Sequence, residues 1–494
     1  MEYKKALKKI NEFFEKCPFL IFSISFICAV SIILFQSYLC IFIFFLSLIF
    51  YKKYPLVIIF FLLGIFIGYF NLKKIPDHYP LKGRGTFEIL DIKENYSFGR
   101  YYSYKIKLKN FKTENKTYKN IKASISSKKR LNATYLYKIN GEINSYNQYL
   151  FFKKPFITKD RKKAFSIFEI RYLLKKKLFL LLKRNIKDKN SYNFLHTLLT
   201  SNNHGNFIPY IFSISGLSHT LAISGFHFGI LILFFSFILD KFFSKKISLI
   251  FLLIISNFYF LFVGPIVSIQ RAFIMIQLFI IAKLINRKYF ALNAIGLSLF
   301  LMVLINPTSL LSIGMQLSFL ASFAILLMHP ITNHFLSRFI KDRNKNEIES
   351  FNFLDKIVYK ILIYLKSSIS ISLSVNFLIF PLLLYHFNKF PIMSLVYNLI
   401  VPFLIGILML LLLTSIFLSF LPIISNILFI TLNTFTNMIL NMTLTFPSIL
   451  QFYIRSKAIS INFIILYISV ISIIFIFLKI FYIDKEANDF LKIV

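Results

Sequence analysis

From about residue 209 onward the chain is an almost unbroken series of apolar runs long enough to cross a bilayer, at roughly 220–239, 247–263, 266–285, 290–305, 309–328, 368–387, 392–418, 421–445 and 458–480. One crossing takes about 20 residues as a helix. Three more runs lie at 19–35, 37–51 and 55–72, and the whole chain is 57% hydrophobic with mean hydropathy +0.69. No soluble core needs so many uncharged runs. The expected fold is a polytopic α-helical membrane protein of about 10–12 spans, with one small β-rich extramembrane domain of the OB type.

The lysine-rich start resembles a signal peptide, but its apolar part runs to Phe50 without an A-x-A-like cleavage site, so it reads as a retained anchor. The cysteines, Cys17, Cys28 and Cys40, lie before or within this region and show no metal or disulfide pattern. If all three early runs cross, a basic N-terminus inside also places Lys52-Lys53 inside and delivers the following segment outside. A single tilted helix over 19–50 reverses that sidedness. The division expected is 1–72 anchor helices, 73–163 β-rich domain, 164–190 amphipathic interfacial helix, 191–480 multi-span domain and 481–494 tail.

Residues 73–163 carry twenty-three Lys/Arg against seven Asp/Glu. Tyr104, Ile106 and Leu108 alternate with Lys105, Lys107 and Lys109, and "NIKASIS" and "YLYKINGEI" repeat that period of two, so four or five short strands are expected. "FSIFEIRYLLKKKLFLLLKR" sets Phe165, Phe168 and Tyr172 apart from Arg171, Lys175 and Lys176, which reads as a helix lying on the membrane surface. The net charge of +38 is discounted, because abundant Lys, Ile, Phe and Tyr with no Trp is the imprint of A+T-rich coding. It is not by itself a nucleic-acid signature.

Four stretches interrupt the apolar runs with polar groups. In "SHTLAISGFHFGIL" (218–231) a continuous helix puts Thr220, Ser224 and His227 in one stripe beside His219, with Gly225 and Gly229 as a Gly-x-x-x-Gly surface. Helix packing and a polar path both fit that pattern. "GPIVSIQRAFIMIQ" places Gln270 and Arg271 at membrane depth, with no acidic residue in a neighbouring span to pair with the arginine. That leaves snorkelling, backbone carbonyls, water or an anionic ligand. "NPTSLLSIGMQLSFLAS" carries Gln316 and Ser318, and "NFLIFPLLLYHFNKFPIMSLVYNLIVP" sets Tyr385, His386 and Asn398 among Pro381, Pro391 and Pro402. Broken helices at membrane depth line cavities or pack inside protein.

In this order, the four stretches resemble the successive membrane motifs of the ComEC competence family, over about 190–410. That resemblance implies a channel in the bacterial cytoplasmic membrane for single-stranded DNA, with the β-rich domain on the outer side. It implies His219, Ser224, Gly225, His227, Gly229, Gln270, Arg271, Gln316, Ser318 and Asn398 as path lining and no catalytic residue, metal or cofactor. It implies as partners the lipid bilayer, a cytoplasmic helicase-like motor and an outer-side DNA receptor. Many relatives add a metallo-β-lactamase-like domain, but no His-x-His-x-Asp-His pattern occurs among the eight histidines, so a separate nuclease is expected if one strand is degraded. The Gly-Asp turn of relatives is replaced by "LLTSNNHGN", and no cysteine in the β segment allows a disulfide there. A secondary transporter of a small anionic solute and a degenerate, non-transporting membrane protein are the competing expectations.

Overall fold

The computed structural model describes residues 2–35, 39–49, 54–72, 80–95, 101–114, 116–146, 149–162, 165–203, 205–444, 452–455 and 459–480. The Lys52-Lys53 break and the tail 481–494 lie outside the described residues. Helix α1 (Glu2–Lys16) meets α2 (Pro18–Phe35) at 86°, because Pro18 cannot continue the preceding helix. Ile10 and Phe14 of α1 are buried while Glu12, Glu15 and Lys16 are exposed. The 19–50 region holds two separate helices, α2 and α3 (Leu39–Ile49), and α4 (Tyr54–Leu72) packs along α2. A Cβ on Gly64 would fall 2.6 Å from the Phe26 carbonyl oxygen, so only glycine permits that approach.

Strands β1 (Leu81–Asn95), β2 (Tyr101–Lys112), β3 (Thr117–Ser127), β4 (Tyr135–Tyr146) and β5 (Tyr149–Lys162) close a barrel in the order β1-β2-β3-β5-β4. All neighbours are antiparallel except β3 and β5, which meet at Ser124 and Phe151. The alternation in β2 resolves as expected: Tyr104, Ile106 and Leu108 fill the barrel while Lys105 and Lys109 are exposed. The Tyr104 hydroxyl accepts from the Leu131 N–H at 2.6 Å, and the Tyr137 hydroxyl accepts from the Asn132 N–H at 2.8 Å. These two phenols pin the loop that carries Arg130.

Helix α5 (Ile167–Asn185) covers most of the segment expected to form an amphipathic interfacial helix, and it has two distinct faces. Its charged face points inward: Glu169, Arg171 and Lys175 are buried, whereas Ile167, Ile170, Leu173 and Leu180 are exposed. Glu169 pairs with Arg130 and accepts from the Ala133 N–H at 2.9 Å, and Tyr172 donates to Glu94 at 3.2 Å. Arg171 donates to the Leu261 carbonyl at 2.8 Å, and Lys175 to the carbonyls of Thr200 and Val263 at 3.2 and 2.9 Å. Helical spacing revealed two faces; which one meets protein was decided by unsatisfied carbonyls at the end of a neighbouring span. The helix couples barrel to bundle.

Burial pushes the Lys175 ammonium down to about 8; Asp91 opposes this, and Arg171 and Lys93 add to it. An unfolded lysine titrates near 10.4, so between those values the unfolded chain binds more protons and stability rises with pH. The expected gain from pH 8 to 10 is about 2 kcal/mol. Lys175→Met should abolish that rise in pH-dependent unfolding of the detergent-solubilised chain. Parallel pH profiles for the two proteins would contradict it.

The bundle follows as α6 (Lys189–Thr200), α7 (Phe207–Ile214), α8 (Ser218–Leu221), α9 (Gly225–Phe242), α10 (Lys245–Val263), α11 (Val267–Leu284), α12 (Ala291–Ile305) and a 3-10 turn at Pro307–Leu311. Then come α13 (Ile313–Leu336), α14 (Lys345–Glu349), α15 (Phe353–Phe387), β6 (Lys389–Pro391), α16 (Ser394–Phe417), α17 (Pro422–Leu444), β7 (Tyr453–Arg455) and α18 (Ile461–Leu478), with β6 and β7 paired. Among the described residues eight helices are long and apolar enough to cross a membrane, and the bent α1–α2 pair makes nine; 55–70 and Ala291–Ile305 are shorter apolar helices. The segment between the apolar runs at 309–328 and 368–387 is partly helical, since α13 continues to Leu336, α14 spans Lys345–Glu349 and α15 begins at Phe353. Lys366 of α15 is buried and donates to Asp342 at 2.6 Å, folding that loop onto the helix. Asp342 is held below the usual carboxylate range by this bond.

Short turns make consecutive spans antiparallel. The N-termini of α9, α11, α13 and α16 therefore gather at one end of the bundle, together with the C-terminus of α10, to which α5 ties the barrel. The opposite end carries Lys245, Lys246, Arg287, Lys288, Lys341 and Arg343.

Candidate functional site: a ring of broken helices

Each of the four polar stretches forms a helix break at the barrel end, and each break starts a span. In the first, Ala222 and Ser224 are extended, so α8 stops and α9 begins anew at Gly225. The continuous stripe of Thr220, Ser224 and His227 does not exist. Thr220 lies on α8 with its hydroxyl donating to the Leu217 carbonyl at 2.7 Å. Serine before glycine favours an N-cap, because its side chain competes for backbone partners. The Ser224 hydroxyl accepts from the Phe226 N–H at 3.3 Å and bonds His227 Nδ1 at 3.1 Å, while the Ser224 N–H donates to the same Nδ1 at 3.3 Å. An accepting Nδ1 leaves the neutral ring's proton on Nε2. That atom is buried without a partner.

Gly225 and Gly229 do not form the expected packing surface together. A Cβ on Gly225 would lie 3.4 Å from Arg271 Nη2 and 3.6 Å from Ala272 Cβ, whereas one on Gly229 would meet nothing within 4 Å. The first break is bonded to the second by Ser268, whose hydroxyl donates to the Ile223 carbonyl at 2.8 Å. Arg271 then joins the second to the third: Nη1 donates to the Ser318 carbonyl, and the guanidinium lies 5.9 Å from the Phe319 ring. Arg271 is 8% exposed, has no carboxylate bonded to it among the described residues, and its Nε has no partner. Gln270 beside it is half-buried.

The third break joins the fourth through Gln316, which donates to the Leu310 carbonyl at 2.7 Å and accepts from His386 Nε2 at 2.7 Å. Sequence spacing placed His386 near a break but not against Gln316, because a contact across 70 positions leaves no periodic trace. The fourth returns to the first. Gly216, at φ +71°, packs so closely that a Cβ there would lie 2.6 Å from Pro391 Cγ and 2.7 Å from Ser394 Cβ. Phe226 in turn reaches toward Gly406, where an added Cβ would be 3.2 Å from its ring. Asn398 sits on α16 with its side-chain oxygen buried and unpartnered, and His219 lies exposed on α8 beside His227.

The breaks thus close a ring, first to second to third to fourth to first. Buried donors left open on Arg271 and His227, an open acceptor on Asn398 and four helix N-termini occur at one end of it. An orphan charge at this depth costs several kcal/mol unless something meets it. Phosphate or carboxylate oxygens are the groups that suit such donors.

Residues 210–481, more than half of the chain and all four breaks, match the family described as Competence protein. A relative, ComE operon protein 3 of Bacillus subtilis (strain 168), is 31% identical over 191 residues, which is 38% of this chain and 21% of that protein. The aligned region therefore spans about a fifth of the relative's length. No solved structure matches. Carrying its polar ring inside the matched stretch, the chain belongs to the Competence protein family as a ComEC-type, multi-pass membrane protein.

Proposed function

We propose that the chain takes part in competence DNA uptake and conducts single-stranded DNA across the cytoplasmic membrane through the ring of α9, α11, α13, α15 and α16. The observation that carries this reading is a closed ring whose most polar member, Arg271, is buried with an open donor and, among the described residues, no acid bonded to it. Phosphates passing the gathered N-termini meet favourable helix dipoles, and neutral lining from Ser224, His227, Gln270, Gln316, Ser318 and Asn398 limits trapping. The excess of Lys and Arg at the end opposite the barrel supports a cytoplasmic location for that end and an outer location for the barrel. In this reading 1–72 anchors, 73–163 gathers the strand outside, 164–190 couples barrel to bundle and 191–480 conducts. A cytoplasmic motor, an outer receptor and a separate nuclease complete the scheme.

Cysteines introduced singly at Ser224, Gln270 or Ser318 test it, since the native Cys17, Cys28 and Cys40 are all buried. A membrane-impermeant thiol reagent added outside should block DNA uptake at these positions and spare Leu233→Cys on an exposed apolar face. Equal sensitivity everywhere, or none at the ring positions, contradicts conduction through the ring.

A further inference from the structure

Upstream of the ring, the C-terminal half of α5, helix α6 and the start of α7 enclose a cavity of about 530 Å³ that the ring itself does not use. Phe179, Tyr192 and Phe207 supply aromatic faces, Lys183 and Lys189 the charge, and Asn190, Asn193, Asn203 and Asn206 the amides. Among the described residues no carboxylate lines it. The Phe179 and Tyr192 rings hold each other edge to face at 5.6 Å, and Asn206 caps α7 without a side-chain bond to it. Phe207 is 51% exposed, an open ring at the rim.

Resting on the DNA reading above, we propose that this cavity seats one nucleotide of the incoming single strand just before the ring. The lysines would hold phosphate, a ring would stack on the base, and the amides, donors and acceptors at once, would meet any base edge. The volume lies within the range of small-molecule sites. Anionic lipid headgroups share the phosphate, but they offer no flat face for three aromatic rings. The seat therefore favours a nucleotide.

The test uses the full chain in phosphatidylcholine nanodiscs and a fluorescein-labelled oligothymidylate. Tyr192→Leu should weaken binding about tenfold. The pair Lys183→Gln with Lys189→Gln should lower the slope of log K against log salt by about 1.4. Asn193→Asp, which keeps side-chain size and adds a negative charge to the lining, should also weaken binding if Tyr192→Leu fails to fold. A 5-iodouracil oligonucleotide should crosslink to Tyr192 or Phe207. Wild-type binding by all variants, with crosslinks elsewhere, overturns the seat while leaving passage through the ring standing. In a parallel arm with phosphatidylglycerol added to the nanodiscs, variants that lose binding of that lipid and keep wild-type oligonucleotide binding overturn the seat in favour of lipid. Failure of the wild-type chain to bind any oligonucleotide, with uptake unaffected by its deletion, overturns the DNA reading itself.

Discussion

Arg271→Gln is expected to reduce uptake of labelled DNA about a hundredfold while leaving the chain inserted and folded. Charged hydrogen bonds contribute about 1.5–3 kcal/mol each, and a deficit near the upper end slows passage by two powers of ten. The bond from Nη1 to the Ser318 carbonyl joins α11 to α13, so a purely structural arginine would leave a destabilised bundle when replaced. A path arginine behaves in the opposite way. Removing a buried charge with an open Nε and no acid bonded to it among the described residues relieves an insertion cost of about 2.5–3.5 kcal/mol. Unfolding of the solubilised variant should therefore occur at or above the wild-type temperature, with uptake lost. Early unfolding together with proportionate loss of uptake would assign Arg271 to packing.

Gly216→Ala carries the second large effect, on assembly of the ring. At φ +71° an alanine pays about 1–2 kcal/mol in backbone strain, and its Cβ would collide with the stiff Pro391 ring and with Ser394. Together these amount to about 3 kcal/mol at the seam where the first and fourth breaks meet. The variant should unfold earlier and show increased protease cutting between α7 and α9. Gly229→Ala is the contrasting change, because its added Cβ meets open space within a helix and should stabilise by up to about 1 kcal/mol. Equal stability of the two variants would contradict the close seam.

Span positions and the β-rich segment were legible in the sequence because both rest on local periodicity: α10, α11 and α12 fall within a few residues of their apolar runs, and β2 follows its alternation. The polar breaks were legible too, since Gly264-Pro265 and Asn306-Pro307 cannot continue helices. What each break does was less visible. Ser224 and His227 fit a helical stripe as well as they fit an N-cap, and only the extended backbone at Ala222 and Ser224 separates the two. The orientation of α5 depended on carbonyls at Leu261 and Val263, about ninety positions away. Ring closure rests on contacts such as Gln316 with His386 and Gly216 with Pro391, which no pattern within one segment encodes. The asparagine-lined cavity beside α6 likewise comes from three elements meeting.

The claim that the ring conducts DNA is tested most directly in cells of the source organism lacking this gene, supplied with doubly labelled duplex DNA. Wild-type complementation should restore nuclease-resistant, internal, single-stranded label, and cells without the gene should hold label only outside the cytoplasmic membrane. Equal internal single-stranded label with and without the chain would contradict conduction.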